Sequence, residues 1–172
     1  MRELPEAIVS YLERWRPSLM QRRDLANAQW WRLFRTGLAT APHRVAWSDL
    51  AVRLEAVMPA PDVIPLISCY VAAATSSNEA LRFALWCNAS PVRAIARASA
   101  DTASGGHSRF NARVVASLPA PDALWKDPRM GALSLESLCT DAAQLQLDSL
   151  AAELLGLSPE DSALLSDDAT RR

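Results

Sequence analysis

Lysine is almost missing from this chain. Lys126 is the only one among 172 residues, and arginine supplies the other cations. Arginine suits contacts with nucleic acid, and a GC-rich coding sequence produces the same bias. Apolar runs are short as well: none approaches the roughly 18 residues that a bilayer-spanning helix needs, so no membrane partner is expected. The opening residues, MRELPEAIVS, lack the apolar core of a secretory signal, and nothing points to export. The three cysteines, Cys69, Cys87 and Cys139, are odd in number and far apart. They fit neither a disulfide framework nor a zinc site. All three read as small buried hydrophobes in a reducing compartment, the cytoplasm. Internal repeats and low-complexity tracts are absent.

What is present is enough for a real core. Half of the residues are hydrophobic, and the length suits one compact domain with an appendage. The net charge of −1 hides an asymmetry. Residues 1–114 carry 14 arginines and 9 carboxylates, a balance of +5; residues 115–172 carry 4 cations and 10 carboxylates, a balance of −6. A basic body with an acidic end suits a nucleic-acid face on one side only.

Periodicity and turn residues give a first map. Residues 5–23 read as a helix, with Pro5 at its start and Ile8, Tyr11, Leu12 and Trp15 on one face. Pro17 is expected to kink or restart it. The aromatic stretch 30–36 leads into a sheet. Residues 64–74 form the best strand candidate, after Pro59, Pro61 and Pro65. A cap at 76–79 opens a helix to about Asn88, and Ser90-Pro91 opens another. Ala103 to His107 is a turn. Ser134 to Leu157 reads as helical, with Leu147, Leu150, Leu154 and Leu157 in a stripe and Gly156 as its stop. Ser158-Pro159 starts a short helix expected to end near Leu165, and the last residues read as disordered.

The most informative segment begins at Leu85. It runs through Asn88-Ala89-Ser90-Pro91, a Ser104-Gly105-Gly106 turn and Arg109-Phe110-Asn111. It closes on an alternating Val114, Val115, Leu118 run that ends in Pro119 and Pro121. With WWRLFR at 30–35 and AAELLGLSPED at 151–161, this layout resembles the C-terminal target-recognition domain of TaqI-like adenine-N6 DNA methyltransferases. That family serves restriction-modification and phage-defence systems. The resemblance spans about residues 5–165. His107 departs from the usual pattern.

The resemblance implies an α+β fold: a small mixed β-sheet with flanking helices and a C-terminal helical tail. Family usage also suggests two short strands or a hairpin in 43–57. The implied organisation is an N-terminal helical region at 1–29, a recognition domain at 30–128, a helical tail at 129–166 and a disordered end at 167–172. The implied function is sequence recognition on double-stranded DNA, on behalf of a separate methyltransferase or another defence subunit. DNA contacts are expected from Arg32, Arg35, Arg44, Gly105, Gly106, Arg109 and Asn111. Partner contacts are expected from Ile8, Leu12, Trp15, Leu147, Leu150 and Leu154. For Arg109 a second reading stands beside the first: Phe110 plugs the core while Arg109 pairs with a carboxylate. For the leucine stripe the second reading is core packing. A scaffold subunit of a defence complex, without DNA reading, is the alternative function.

No chemistry is expected from the chain alone. It lacks the Asn-Pro-Pro-Tyr/Phe tetrapeptide with which the family holds a flipped adenine. It also lacks a glycine-rich cofactor loop and a nuclease-like Asp/Glu-x-Lys cluster. Nothing in the sequence places a carboxylate or nucleophile beside His43. No catalytic residue, metal ligand or cofactor is therefore expected.

Overall fold

The computed structural model describes residues 4–23, 29–32 and 36–170, with side chains as far as Leu165. The chain divides into two compact units, Met1–Gly37 and Leu38–Arg172. The first is built on helix α1 (Glu6–Met20), which continues through Pro17 and buries none of its residues. Ile8, Tyr11, Trp15 and Met20 are exposed, and Leu12 is half-buried. The Arg16 guanidinium lies 5.2 Å from the ring centroid of Trp30, within cation–π range. A short helix, α2 (Thr36–Ala39), spans the division between the units.

The larger unit is α+β. Strands β1 (Arg44–Ser48), β2 (Leu50–Ala51), β3 (Ala56–Val57) and β4 (Cys69–Ala73) precede helices α3 (Ser77–Asn88) and α4 (Ser90–Ser99). Strands β5 (Asp101–Thr102) and β6 (Ser108–Arg109) follow, then α5 (Ala112–Ala116), α6 (Pro128–Gly131), α7 (Asp141–Leu155) and α8 (Pro159–Thr170). The sheet differs from the expected one. In place of a single mixed sheet there are two antiparallel ones, ordered β3-β1-β4 and β2-β6-β5. All four strand pairings are antiparallel, and of these only β5–β6 joins successive strands through a short turn.

The expected hairpin in 43–57 is present as β1 against β3, with Trp47 opposite Ala56. On its other side β1 pairs along its whole length with β4, from Arg44–Ala73 to Ser48–Cys69. β4 is shorter than the apolar run 64–74 suggested. Pro65 cannot donate to a ladder, and Arg44 takes the carbonyl of Val63 just before it.

Helix α3 is the element around which the core forms. Ser76 caps it by accepting from the Glu79 amide at 3.1 Å. Leu85, Trp86 and Cys87 are fully buried on it, among Val45, Leu54, Phe110, Leu124, Met130 and Leu147. The polar ends of its Trp86 and Arg82 side chains find backbone acceptors. Trp86 Nε1 donates to Pro119 O at 2.8 Å. The buried Arg82 donates to Leu124 O and Asp127 O at 2.9 and 2.7 Å. These bonds tie α3 to the irregular 119–127 segment, whose carbonyls would otherwise lack donors.

The helical end is shorter at its start and longer at its finish than expected. A 3-10 turn occupies Glu136–Cys139, and α7 begins only after Thr140, whose hydroxyl accepts from the Ala143 amide. Gly156, at φ 68°, closes α7 as expected. Helix α8 continues past Leu165 to Thr170. Leu147 and Leu150 are buried in the shared core, and Leu154 packs against it. This corrects the expectation of a partner interface on the leucine stripe: burial in the chain's own core leaves Leu147 and Leu150 nothing to present. Leu147→Ala is accordingly expected to cost about 2–5 kcal/mol in urea unfolding. The exposed neighbour Leu145 changed to Ala should stay within about 0.5 kcal/mol.

Candidate nucleic-acid interface

Asp49 sits between β1 and β2, at the corner where the chain passes from one sheet to the other. Its amide donates to Ser68 O at 2.9 Å, and its carbonyl accepts from the Phe110 amide at 2.7 Å. Its carboxylate receives the Arg109 guanidinium at 2.7 Å. Arg109 belongs to β6, which is reached from β5 through a tight 3-10 turn at Ser104–Gly106. Both Gly105 (φ 71°) and Gly106 (φ 76°) are in the left-handed region, where a Cβ is disfavoured. Ala103 N donates to His107 O at 2.8 Å and closes the loop. The turn itself is exposed.

Phe110 is fully buried, and its carbonyl accepts from Trp47 Nε1 at 2.7 Å. The structure therefore realises the second reading of Arg109, a core plug beside an ion pair. The guanidinium is still accessible: the Arg109 side chain is 48% exposed and that of Asp49 is 20%. An exposed ion pair of this kind contributes little to stability and can yield to a stronger anionic partner.

Two of the other expected contacts are structural. Arg44 is only 3% exposed. It donates to Ala41 O at 2.7 Å, and through Nη2 to Ala60 O and Val63 O at 2.8 and 2.7 Å. The 60–63 loop carbonyls take up the guanidinium, which corrects its assignment to DNA. Asn111 is the N-cap of α5, with Oδ1 accepting from Arg113 N and Val114 N at 3.0 and 3.1 Å. That is the usual use of an asparagine at a helix start, and it turns the apparently alternating Val114–Leu118 run into a helix. Arg32 is exposed in the Met1–Gly37 unit, and Arg35 lies outside the described residues. The sequence reading passed over Arg113, which is exposed four residues beyond Arg109. Recognising Asn111 as a helix cap was the signal that would have turned attention to it.

The Asn88-Ala89-Ser90-Pro91 step has a different role. Asn88 is buried, and its carboxamide pairs with both backbone groups of Ala56, at 3.0 and 2.7 Å. Arg93, one turn into α4, donates to Leu54 O and to Asn88 Oδ1 at 2.8 and 3.0 Å. Asp148 accepts from the Ser90 amide at 2.7 Å and from Gln144 at 2.8 Å. Burial, and after it the neighbouring Arg53 guanidinium, pulls the Arg93 pKa below its usual value. Asn88, Ser90, Arg93 and Gln144 line a cavity of about 530 Å³, together with Arg53, Glu55, Cys139 and Asp141. No group of His, Cys, Asp and Glu side chains suited to a metal ion occurs among the described residues. None of their helices is long and apolar enough to cross a membrane.

Compared with protein-family models and with curated proteins, the chain matches none.

Only Cys87 fulfils the expectation of a buried thiol; Cys69 is half-buried and Cys139 exposed. Burial pushes the Cys87 thiol up to about 12, so it stays protonated and unreactive at neutral pH. An aromatic disulfide reagent should modify Cys139 first and reach Cys87 only on unfolding, as followed by mass spectrometry. In the turn, a Cβ on Gly106 would meet nothing within 4 Å, so its conformation alone penalises a side chain. Gly106→Ala should lower unfolding free energy by about 1–2 kcal/mol, measured in urea.

Proposed function

We propose that this chain is a DNA-recognition module that acts with a separately encoded adenine-N6 methyltransferase. The reading rests on the likeness of residues 85–121, 30–35 and 151–161 to target-recognition domains. One observation carries it: an exposed, glycine-shaped turn delivers the half-exposed Arg109 to the surface, with the exposed Arg113 close in sequence. A turn with fixed backbone and arginines beside it is what close approach to phosphates and base edges requires. The Arg109–Asp49 pair holds the guanidinium ready, and a phosphate competes with Asp49 for it. In this reading the chain supplies binding and position, and the methyl transfer belongs to the partner.

A second reading, a protein-interaction subunit without DNA contact, is favoured by a different feature. Val63, Ile64, Leu66 and Ile67 are exposed on the loop whose carbonyls the buried Arg44 holds. Asp62 is the only charged residue between 59 and 68. A preformed apolar loop without cations suits a protein surface better than a phosphate backbone.

Binding of a mixed-sequence duplex, followed by fluorescence anisotropy across a salt series, separates the two. The DNA reading expects affinity that falls steeply with salt. Arg109→Ala and Arg113→Ala should each reduce the slope of log affinity against log salt by about 0.9 and leave the melting temperature near that of the wild type. Salt-independent or absent duplex binding would sink the DNA reading. Ile67→Asp then becomes the informative variant, through loss of association with the partner.

A further inference from the structure

We propose that the outer edge of β4, with the apolar cavity beside it, is a docking site for an extended segment of a partner protein that carries a large apolar side chain. The segment adds a strand to the β3-β1-β4 sheet and seats that side chain in the cavity. The site does not depend on whether the chain binds DNA.

The argument starts from which backbone groups of β4 are in use. β4 is an outer strand of its sheet. In an antiparallel pair, residues that exchange backbone bonds alternate with residues that do not. The Ala74 amide donates to His43 O, and the Asp49 amide donates to Ser68 O. With the register running from Arg44–Ala73 to Ser48–Cys69, the positions of β4 that bond to β1 are therefore Tyr70 and Ala72. The Cys69 amide turns back to Leu66 O. Val71 and Ala73 direct their N–H and C=O groups away from β1, and nothing among the described residues bonds to them. The opposite edge of the sheet is covered, because the Asn88 carboxamide takes both groups of Ala56. Native edge strands are normally guarded by charge, proline or a bulge. The five residues of β4, CYVAA, include neither charge nor proline, and the register with β1 is unbroken.

The cavity holds about 320 Å³, at the small end of a ligand range of roughly 300–1,000 Å³. β4 contributes Val71 and Ala72 to its lining, α5 contributes Val115 and Ala116, and α3 contributes Phe83 and Trp86. No charged residue lines it. The two indole N–H groups of the lining are already bonded, Trp47 Nε1 to Phe110 O and Trp86 Nε1 to Pro119 O. Such a surface offers a phosphate nothing to bond and favours an apolar group. A second copy of β4 could pair with the edge but would leave the cavity empty. Its Tyr70 is stacked on its own Trp47, with ring centroids 6.0 Å apart, and Ala72 is too small. The anchoring side chain therefore comes from another sequence. Strand addition supplies both needs together, since main-chain bonds give affinity and the pocket gives specificity.

The test is selection of random phage-displayed peptides on the full chain, followed by fluorescence anisotropy with the most enriched peptide, synthesised and labelled. Enriched sequences should share one large apolar residue flanked by β-forming residues, and binding should change little with salt. Amide exchange at Val71 and Ala73, followed by NMR, should slow at least about tenfold on binding. Ala116 is exposed and lines the cavity, so Ala116→Glu sets a charge there without disturbing the core. It should weaken binding at least about tenfold and keep the wild-type melting temperature. Val71→Pro removes an outward N–H and spares the bonds between β1 and β4; it should weaken binding about tenfold. No enriched sequence, enrichment of charged sequences, unaltered exchange at Val71 and Ala73, or unaltered binding by Ala116→Glu overturns the site. A dimer in sedimentation that Val71→Pro dissolves, with no peptide bound, assigns the edge to a second copy and overturns it as well.

Discussion

The pairing of one carboxamide with one strand residue holds the larger unit together. Asn88, at the last turn of α3, meets both the N–H and the C=O of Ala56. Ala56 lies on β3, which is two residues long and forms an outer strand of its sheet. So short a strand has few ladder bonds of its own, and an outer edge is exposed to competing partners. The side chain of Asn88 substitutes for a further strand and fixes β3 against the helix. Arg93 then bonds to the same Oδ1 and to the carbonyl of Leu54. The chain around Leu54, itself a core residue, is thereby set by groups on α3 and α4. In a low-dielectric interior such a network is strong while complete and costly when one member is removed.

Arginine is the recurring device elsewhere. Much of this fold is irregular, and irregular backbone carries carbonyls without ladder partners. Arg44 collects those of the 60–63 loop, Arg82 those of Leu124 and Asp127, and Arg93 that of Leu54. A guanidinium offers five donors in a planar fork, so one side chain can close several loops at once. Three of the arginines that make the sequence look basic are in this way internal supports. The surface charge is therefore smaller than the count of arginines suggests.

The β5–β6 turn and the Asn88 cavity differ in kind. The β5–β6 turn is shaped by glycines whose φ values no other residue adopts without strain, and it presents arginine outward. The Asn88 cavity is shaped by polar groups that bond one another and the backbone. The corner at Asp49 is tied by backbone bonds to Ser68 and Phe110, beside one strand of each sheet.

The sequence by itself determined the local elements. Ser76 as a cap, Pro91 at the start of α4, Gly156 as a stop and the paired glycines of the 104–106 turn each act through their own backbone and nearest neighbours. Such signals can be read from spacing, whereas the α+β class came with the family resemblance. Tertiary structure alone decided the fate of the polar side chains. Arg44 and Arg109 are equally plausible surface groups as letters. Distance along the chain hides that the first meets loop carbonyls sixteen to nineteen residues away and that the last meets a carboxylate sixty residues away. The leucine stripe of α7 shows the same limit. Periodicity identified its apolar face, while whether that face meets the chain's own core or another molecule depends on what packs opposite. The fold places Leu147 and Leu150 against α3's buried cluster.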